Sequence, residues 1–308
     1  MSYAKNSKDI YSQITETVIE ALEQGNIIWK KPWGSYGLPK NFTTGKQYRG
    51  WNVFWLNFIT TYKQYSTPFF LTFNQAQKKG GRIKKGSKGT PIVFWATIED
   101  KNITMVIKDE TTGVETKVHP TKLIPTTHTV FNLDQTEDID LTGLETLRRP
   151  ETNNIEACDT IINNMPLAPV IRHSGDQAYY CQMKDQVTMP AKNLFVNDEA
   201  YYTTLFHELA HSTGHEKRLN RKELIEHDGF GGTNYSKEEL TAEFTAAFLS
   251  GFTGIQTETI TNSAAYIQGW LKALKEDKKL LLSAACQAQK AADFILNINS
   301  QNEEEKAL

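Results

Sequence analysis

Apolar residues recur at helical spacing near the start of the chain. Ile10, Ile14, Val18, Ala21 and Leu22 share one face of a segment spanning 8–24, and Gly25 follows where helices commonly end. A second helix is expected over 51–62. Between them, "WKKPWGSYGLPKNFTTGKQYRG" mixes aromatics with Gly, Pro and Asn and reads as loop with room for short strands. The pattern then shifts to short apolar runs. "PFFLTF" (68–73), "TPIVFWATIE" (90–99), "ITMVIKD" (103–109) and "HTVFNL" (128–133) are expected strands, so residues 1–133 read as a small mixed α+β domain. The polar, acidic stretch 134–153 has no sustained period and is read as a linker. A second domain over 154–308 combines a helix near 154–164 with strands near 169–172, 177–182 and 186–189. Helical patterns follow over 198–213, 236–250 and 262–297, the last with room for a break, before a charged tail expected to fray. The fold class is therefore α+β with two domains.

Composition narrows the classes. In 308 residues, 39% are apolar, enough for a substantial core. There is no apolar run of about 18 residues and no signal-peptide pattern at the start, so a soluble, cytoplasmic protein without membrane contact is expected. Cys158, Cys181 and Cys286 lie far apart and suggest neither a disulfide framework nor a thiolate metal site. The net charge of −2 conceals a division of labour: residues 1–131 carry 18 Lys and Arg against 9 Asp and Glu, and the remainder carries 16 against 27.

Three of the seven histidines fall within "HELAHSTGH". On a helix, His207 and His211 are four apart and share a face, with Glu208 beside them. This is the H-E-x-x-H arrangement, in which the two imidazoles bind zinc and the glutamate accepts a proton from water as general base. A third ligand is needed. His215 lies too far along an intact helix, and the position where an extended H-E-x-x-H-x-x-G-x-x-H motif would place its last His is Lys217. Downstream, "YSKEELTAEFTAAFLSG" sets Glu239 and Glu243 four apart on one helical face. One can bind the metal while the other holds a ligand imidazole from behind. The same stretch also reads as a capping box, with Ser236 at the N-cap and Glu239 engaged with the cap amide, which would remove Glu239 from the metal. The pattern Glu239-x-x-Ala242-Glu243 resembles the third-ligand helix of gluzincin metallopeptidases. That resemblance makes Glu239 the ligand and Glu243 the supporting carboxylate.

The basic part of the chain combines two further features. "QKKGGRIKKGSKG" carries Lys78, Lys79, Arg82, Lys84, Lys85 and Lys88 without an acid, separated by residues that let a backbone approach phosphates. "WKKPW" and "GKQYRGWNVFW" set basic residues beside aromatic ones. Exposed rings among cations suit single-stranded nucleic acid, whose unstacked bases can lie on them. Trp33, Lys46, Tyr48, Arg49 and Trp51 are the expected contacts, with Trp55, Phe54 and Phe58 assigned to the core.

Taken together, "GKQYRGWN", "TFNQAQKKGGRIKKGSKGTPIVFW", "HTVFNLDQ", "HELAHSTGHEKRLNR" and "EELTAEFTAAFL" resemble, in the same order, the ArdC-type antirestriction proteins of plasmids and other mobile elements. The resemblance implies an N-terminal domain that binds single-stranded DNA, a C-terminal zincin-like metallopeptidase domain holding Zn2+, and protection of incoming DNA from host restriction. A protein substrate bound to DNA would fit this pairing. Three alternatives are kept: a protein that coats single strands and carries a structural or inactive zinc site, a DNA-dependent repair protease of the SprT type, and an ordinary peptidase whose basic half binds acidic peptides.

Overall fold

The computed structural model describes residues 7–24, 37–99, 104–108, 115–119, 121–147, 154–225, 233–255 and 264–298. In chain order the elements are α1 (Ser7–Glu23), β1 (Lys40–Asn41), α2 (Trp51–Tyr62), β2 (Phe69–Leu71), α3 (Phe73–Lys78), β3 (Arg82–Ile83), β4 (Thr90–Glu99), β5 (Met105–Lys108), β6 (Glu115–Val118), β7 (Thr121–Asn132) and β8 (Thr136–Glu137). Then come α4 (Asn154–Asn164), β9 (Val170–His173), β10 (Tyr179–Cys181), β11 (Gln186–Met189), α5 (Asp198–Thr213), α6 (Lys222–Ile225), α7 (Thr233–Thr253), α8 (Ala264–Glu276) and α9 (Leu280–Ile295).

A four-stranded sheet in the order β1-β2-β7-β4 organises the first half. β7 starts at Thr121, earlier than its apolar run suggests, because it pairs antiparallel with the whole of β4, from Thr90↔Val130 to Glu99↔Thr121. Lys122, Pro125, Thr126 and Thr127 interrupt the apolar pattern ahead of His128 and hide the strand's true length. The helix α3 is also not foreseen by the hydrophobic pattern. Thr72 caps it by accepting from the Gln75 amide at 3.2 Å, and Gln75 accepts in return from the Thr72 amide at 2.9 Å.

The acidic segment expected to be a linker packs closely over 134–147. β8 pairs antiparallel with β3, and Ile139, Leu144 and Leu147 lie against a small core of Phe42, Phe69, Leu71, Ala76 and Leu133. Gly81 permits this: a Cβ there would stand 2.8 Å from the Ile139 backbone.

The second half sets the sheet β10-β11-β9 against helices. α7 and α9 approach closely through small side chains, with Ala242, Ala246, Ala284, Ala285, Ala288 and Ala292 all buried. The main core does not stop between the halves. It runs from Ile14 and Val18 of α1 through Phe54 and Leu56 of α2 to Phe244 of α7 and Leu281 of α9, with the Phe54 and Phe244 ring centroids 4.4 Å apart. Burial of this shared apolar surface is the main cohesive force between the two halves.

Candidate metal centre and the basic face

α5 carries the H-E-x-x-H motif. Asn197 caps the helix, accepting from the Ala200 amide at 2.7 Å, and Asp198 and Glu199 suit the positive end of the helix dipole. From Tyr201 to Thr213 the helix is buried on almost every side, so it shows no single apolar stripe. The four-residue period stacks His207 over His211, with their Nε2 atoms 3.1 Å apart. Glu208 is buried beside them.

A third candidate donor comes from α7. Glu239 places one oxygen 3.6 Å from His207 Nε2 and the other 3.5 Å from His211 Nε2. The ligand atoms of these three residues all lie within 4.8 Å of one another. Zinc bonds of about 2.0–2.2 Å in a tetrahedron put neighbouring donors roughly 3.3–3.6 Å apart. The two imidazole nitrogens at 3.1 Å and the Glu239 oxygens at 3.5 and 3.6 Å come near that spacing, and two imidazoles with a carboxylate are a donor set suited to a divalent ion. α7 begins at Thr233, three residues ahead of Ser236. Ser236 therefore sits inside the helix, the competing capping-box reading fails, and Glu239 is left to face the histidines.

The supporting carboxylate of His211 is Glu238, which the sequence pattern did not single out. Its Oε1 lies 3.1 Å from His211 Nδ1. Arg221 grips the same carboxylate through two bonds, Nε to Oε2 at 2.9 Å and Nη2 to Oε1 at 2.5 Å. It also donates to the Ala210 carbonyl at 2.8 Å and Thr213 Oγ1 at 2.5 Å, near the end of α5. Glu243, expected behind a ligand, is buried with Oε1 3.6 Å from His207 Nδ1, beyond hydrogen-bond range.

These buried charges shift one another. Burial works against a charged His207, but the pull of Glu239, Glu243 and Glu208 outweighs it and raises the imidazole to about 10. His211 is raised for the same kind of reason, with Glu239 and Glu238 overcoming burial. Burial would raise Glu238, yet Arg221 and His211 bring it down to about 2. For Glu243 burial prevails and the carboxyl is raised.

Gly214 closes α5, but at φ −74°, so a left-handed turn is not its role. A Cβ there would come within 3.0 Å of Arg221 Nη2 and 2.9 Å of Leu224 Cδ2; the glycine makes room for Arg221. His215 is buried outside the donor group, its Nδ1 accepting from the Lys217 amide at 3.2 Å. Arg218 donates to the Ser212 carbonyl at 2.6 Å and grips Asp185, with Tyr180 Oη 3.1 Å away, fastening the end of α5 to the turn between β10 and β11.

The expected nucleic-acid contacts divide. Tyr48 and Trp51 are buried, at 1% and 4% exposure. Arg49 reaches Asp293 of α9 at 2.5 Å, and the adjacent Gly50 amide donates to Gln289 Oε1 at 2.7 Å. "QYRGW" is thus a fastening between the halves, and the expectation that Tyr48, Arg49 and Trp51 form an exposed stacking surface is corrected. Their aromatic and basic character serves packing and ion pairing instead. Trp33 lies outside the described residues. Lys46, Lys78, Lys85 and Lys88 are exposed. Lys79 lies over the Phe42 ring at 4.8 Å, Lys84 donates to the Asp134 carbonyl at 2.8 Å, and the exposed Arg82 pairs with Glu137 at 2.7 Å and Asp138 at 3.0 Å. An exposed ring does accompany these cations: Phe73, at the start of α3, is 50% exposed.

Among the described residues, no helix is long and apolar enough to cross a membrane. Residues 8–131 match the family model for the N-terminal domain of the anti-restriction factor ArdC, and residues 156–287 match that for a zincin-like metallopeptidase. The crystal structure of metal-free ArdC from plasmid R388 is 33% identical, covering 94% of this chain and 99% of that one with a TM-score of 0.70. The Mn(II)-bound form gives 32% identity and a TM-score of 0.71 over 95% and 99% of the two chains. The uncharacterized protein y4eC of Sinorhizobium fredii is 32% identical over 93% of this chain and 91% of its own length. The DNA primase TraC of Escherichia coli is 34% identical over 98% of this chain, which spans only 28% of that relative. A zincin-like domain and a manganese-bound relative both point to a divalent-metal site. With both domain models matched in order and ArdC matched along nearly its whole length, this chain belongs to the ArdC antirestriction family.

Proposed function

We propose that the protein binds single-stranded DNA through the exposed basic face of its N-terminal half and carries a zinc-dependent peptidase site in its C-terminal half. The site would act on proteins associated with DNA during protection of a mobile element from restriction. The observation that carries this reading is the meeting of His207, His211 and Glu239, with one ligand atom of each within 4.8 Å of the others and Glu208 buried beside them.

His207 and His211 would hold the ion through Nε2, and Glu239 through its carboxylate. A divalent ion held there polarises a carbonyl and acidifies water. Glu208 is the general base, taking the proton from the attacking water and passing it to the leaving amine. Glu243 stands behind His207 and Glu238 behind His211. The basic face supplies affinity without sequence reading, since lysines meet phosphates as point charges. Single strands anchored there would raise the effective concentration of DNA-bound proteins near the site. The apolar core shared by the halves supports this reading by tying the basic half to the half that carries the site.

The deciding variant is Glu208→Gln, measured for metal content, single-strand affinity, hydrolysis of DNA-bound proteins and protection of transferred DNA. On this reading it keeps metal and DNA but loses hydrolysis and protection. Full protection by a metal-loaded Glu208→Gln protein would remove proteolysis from the function and leave strand coating as the account.

A further inference from the structure

Arg221 is a fully buried cation that the hydrolytic scheme does not use. It lies ten residues beyond His211, after α5 has ended, and returns because the chain doubles back. The Leu219 amide donates to the Thr213 carbonyl at 2.9 Å and the Arg221 amide to the Gly214 carbonyl at 3.0 Å. Asn220 takes a left-handed conformation, φ 49°, which asparagine tolerates better than most residues. The guanidinium side chain is 2% exposed and the Glu238 side chain 6%. Their two bonds form a fork that fixes the carboxylate plane.

We propose that Arg221 is a positioning residue of the metal centre, acting through Glu238 to fix the tautomer and aim of His211. This rests on the reading of His207, His211 and Glu239 as metal ligands. Glu238 Oε1 is placed to accept from His211 Nδ1–H, and that leaves the Nε2 lone pair bare and directed at the point shared with His207 and Glu239. A carboxylate beside Glu239 on the same helix could otherwise turn toward the ion. Arg221 holds both of its oxygens and so keeps Glu238 behind the imidazole. Gly214 belongs to the same device, since a Cβ there would press on the guanidinium at 3.0 Å from Nη2 and on Leu224 at 2.9 Å. Partners of this kind typically change metal affinity by about 10–100-fold.

The test is competitive titration of Zn2+ and Mn2+ against a fluorescent chelator, on the full chain. Wild type, Arg221→Met, Arg221→Lys, Glu238→Gln and the double variant Arg221→Met with Glu238→Gln are compared, with 15N spectra of the histidine rings as a second readout. The expected results are a loss of about 10–100-fold in Arg221→Met, a smaller loss in Arg221→Lys, and a double variant no weaker than the worse single. The ring spectra of Arg221→Met should show His211 no longer held as one Nδ1–H tautomer. Should Arg221→Met fail to fold, Glu238→Gln and Arg221→Lys decide the matter, because Glu238→Gln leaves the bonds of Arg221 to Ala210 and Thr213 in place. Wild-type affinity in Arg221→Lys and Glu238→Gln, or losses that multiply in the double variant, would overturn the proposal. If instead wild type binds no stoichiometric ion, or His207→Ala binds as well as wild type, the ligand reading itself fails.

Discussion

At the candidate metal centre, His207, Glu208, His211, Arg221, Glu238 and Glu243 are buried, and most of them bond to or pair with one another across α5, the turn after it, and α7. Along 78–88 the cations stand mostly in solvent, and the ring closest to them in sequence, Phe73, is half exposed. The first region tolerates little displacement, since each polar group is desolvated and costly to leave unpaired. The second is a distribution of charge whose members act nearly independently. Chemistry that needs donors at fixed spacing suits the first, and the proposed affinity for a flexible polyanion suits the second.

The sharpest way to separate the two is to loosen the scaffold under the metal centre. Arg218→Met removes a buried cation that joins Asp185, Tyr180 and the Ser212 carbonyl. The Asp185 side chain is 24% exposed, so the loss is that of the charged hydrogen bonds, about 1.5–3 kcal/mol, and the unfolding free energy of the metal-free protein should fall by that amount in denaturant titration. Single-strand affinity measured below the transition should hold. A concurrent fall in DNA affinity would mean that the regions are not independent.

Phe73→Ala acts on the other side. If a base stacks on this ring, affinity for single strands falls by about 1–3 kcal/mol, with metal content unchanged. Replacing Lys84, Lys85 and Lys88 with alanine should be milder at low salt. It should flatten the dependence of log affinity on log salt by about 0.7 for each phosphate no longer neutralised, equally for all sequences. A weakening confined to particular sequences would show base reading instead.

The smallest effect is a pH profile that only the buried region should produce. His207, raised from 6.5 to about 10, contributes stability to the metal-free protein that is full below pH 6.5 and is lost as pH rises through about 10. Glu238, lowered from 4.5 to about 2, contributes stability that is full above pH 4.5 and is lost as pH falls toward about 2. The melting temperature of metal-free protein should therefore decline on both sides of an acidic-to-neutral plateau. Bound metal should reduce the alkaline loss, since ligand imidazoles no longer carry protons.

How much of this was legible in the sequence depended on range. α2, α4, β4 and α5 fall at the expected residues because their signals are local periods and caps. His207 and His211 are readable from one helical turn, whereas the spacing of a second helix offers Glu239 and Glu243 alike and only the likeness to the gluzincin helix favours Glu239. Arg221 and Glu238 are not, because nothing in "HEKRLNR" states that a left-handed Asn220 folds the chain back beneath α5. The two adjacent glutamates also look alike until helix packing sends one to the front and one to the back of His211. "GKQYRGWN" misled for the complementary reason. Aromatic and basic residues in sequence suit a strand of DNA or a buried junction equally well. The junction is set by Asp293, 244 residues away from Arg49.

The most direct measurement is the zinc content of purified protein by elemental analysis, with wild type beside His207→Ala and Glu239→Ala and single-strand affinity taken on the same samples. One ion per chain in wild type, lost in both variants with DNA affinity retained, is the result expected of a metal centre built from α5 and α7. An ion that survives in Glu239→Ala and His207→Ala alike, or none in wild type supplied with zinc, would contradict it.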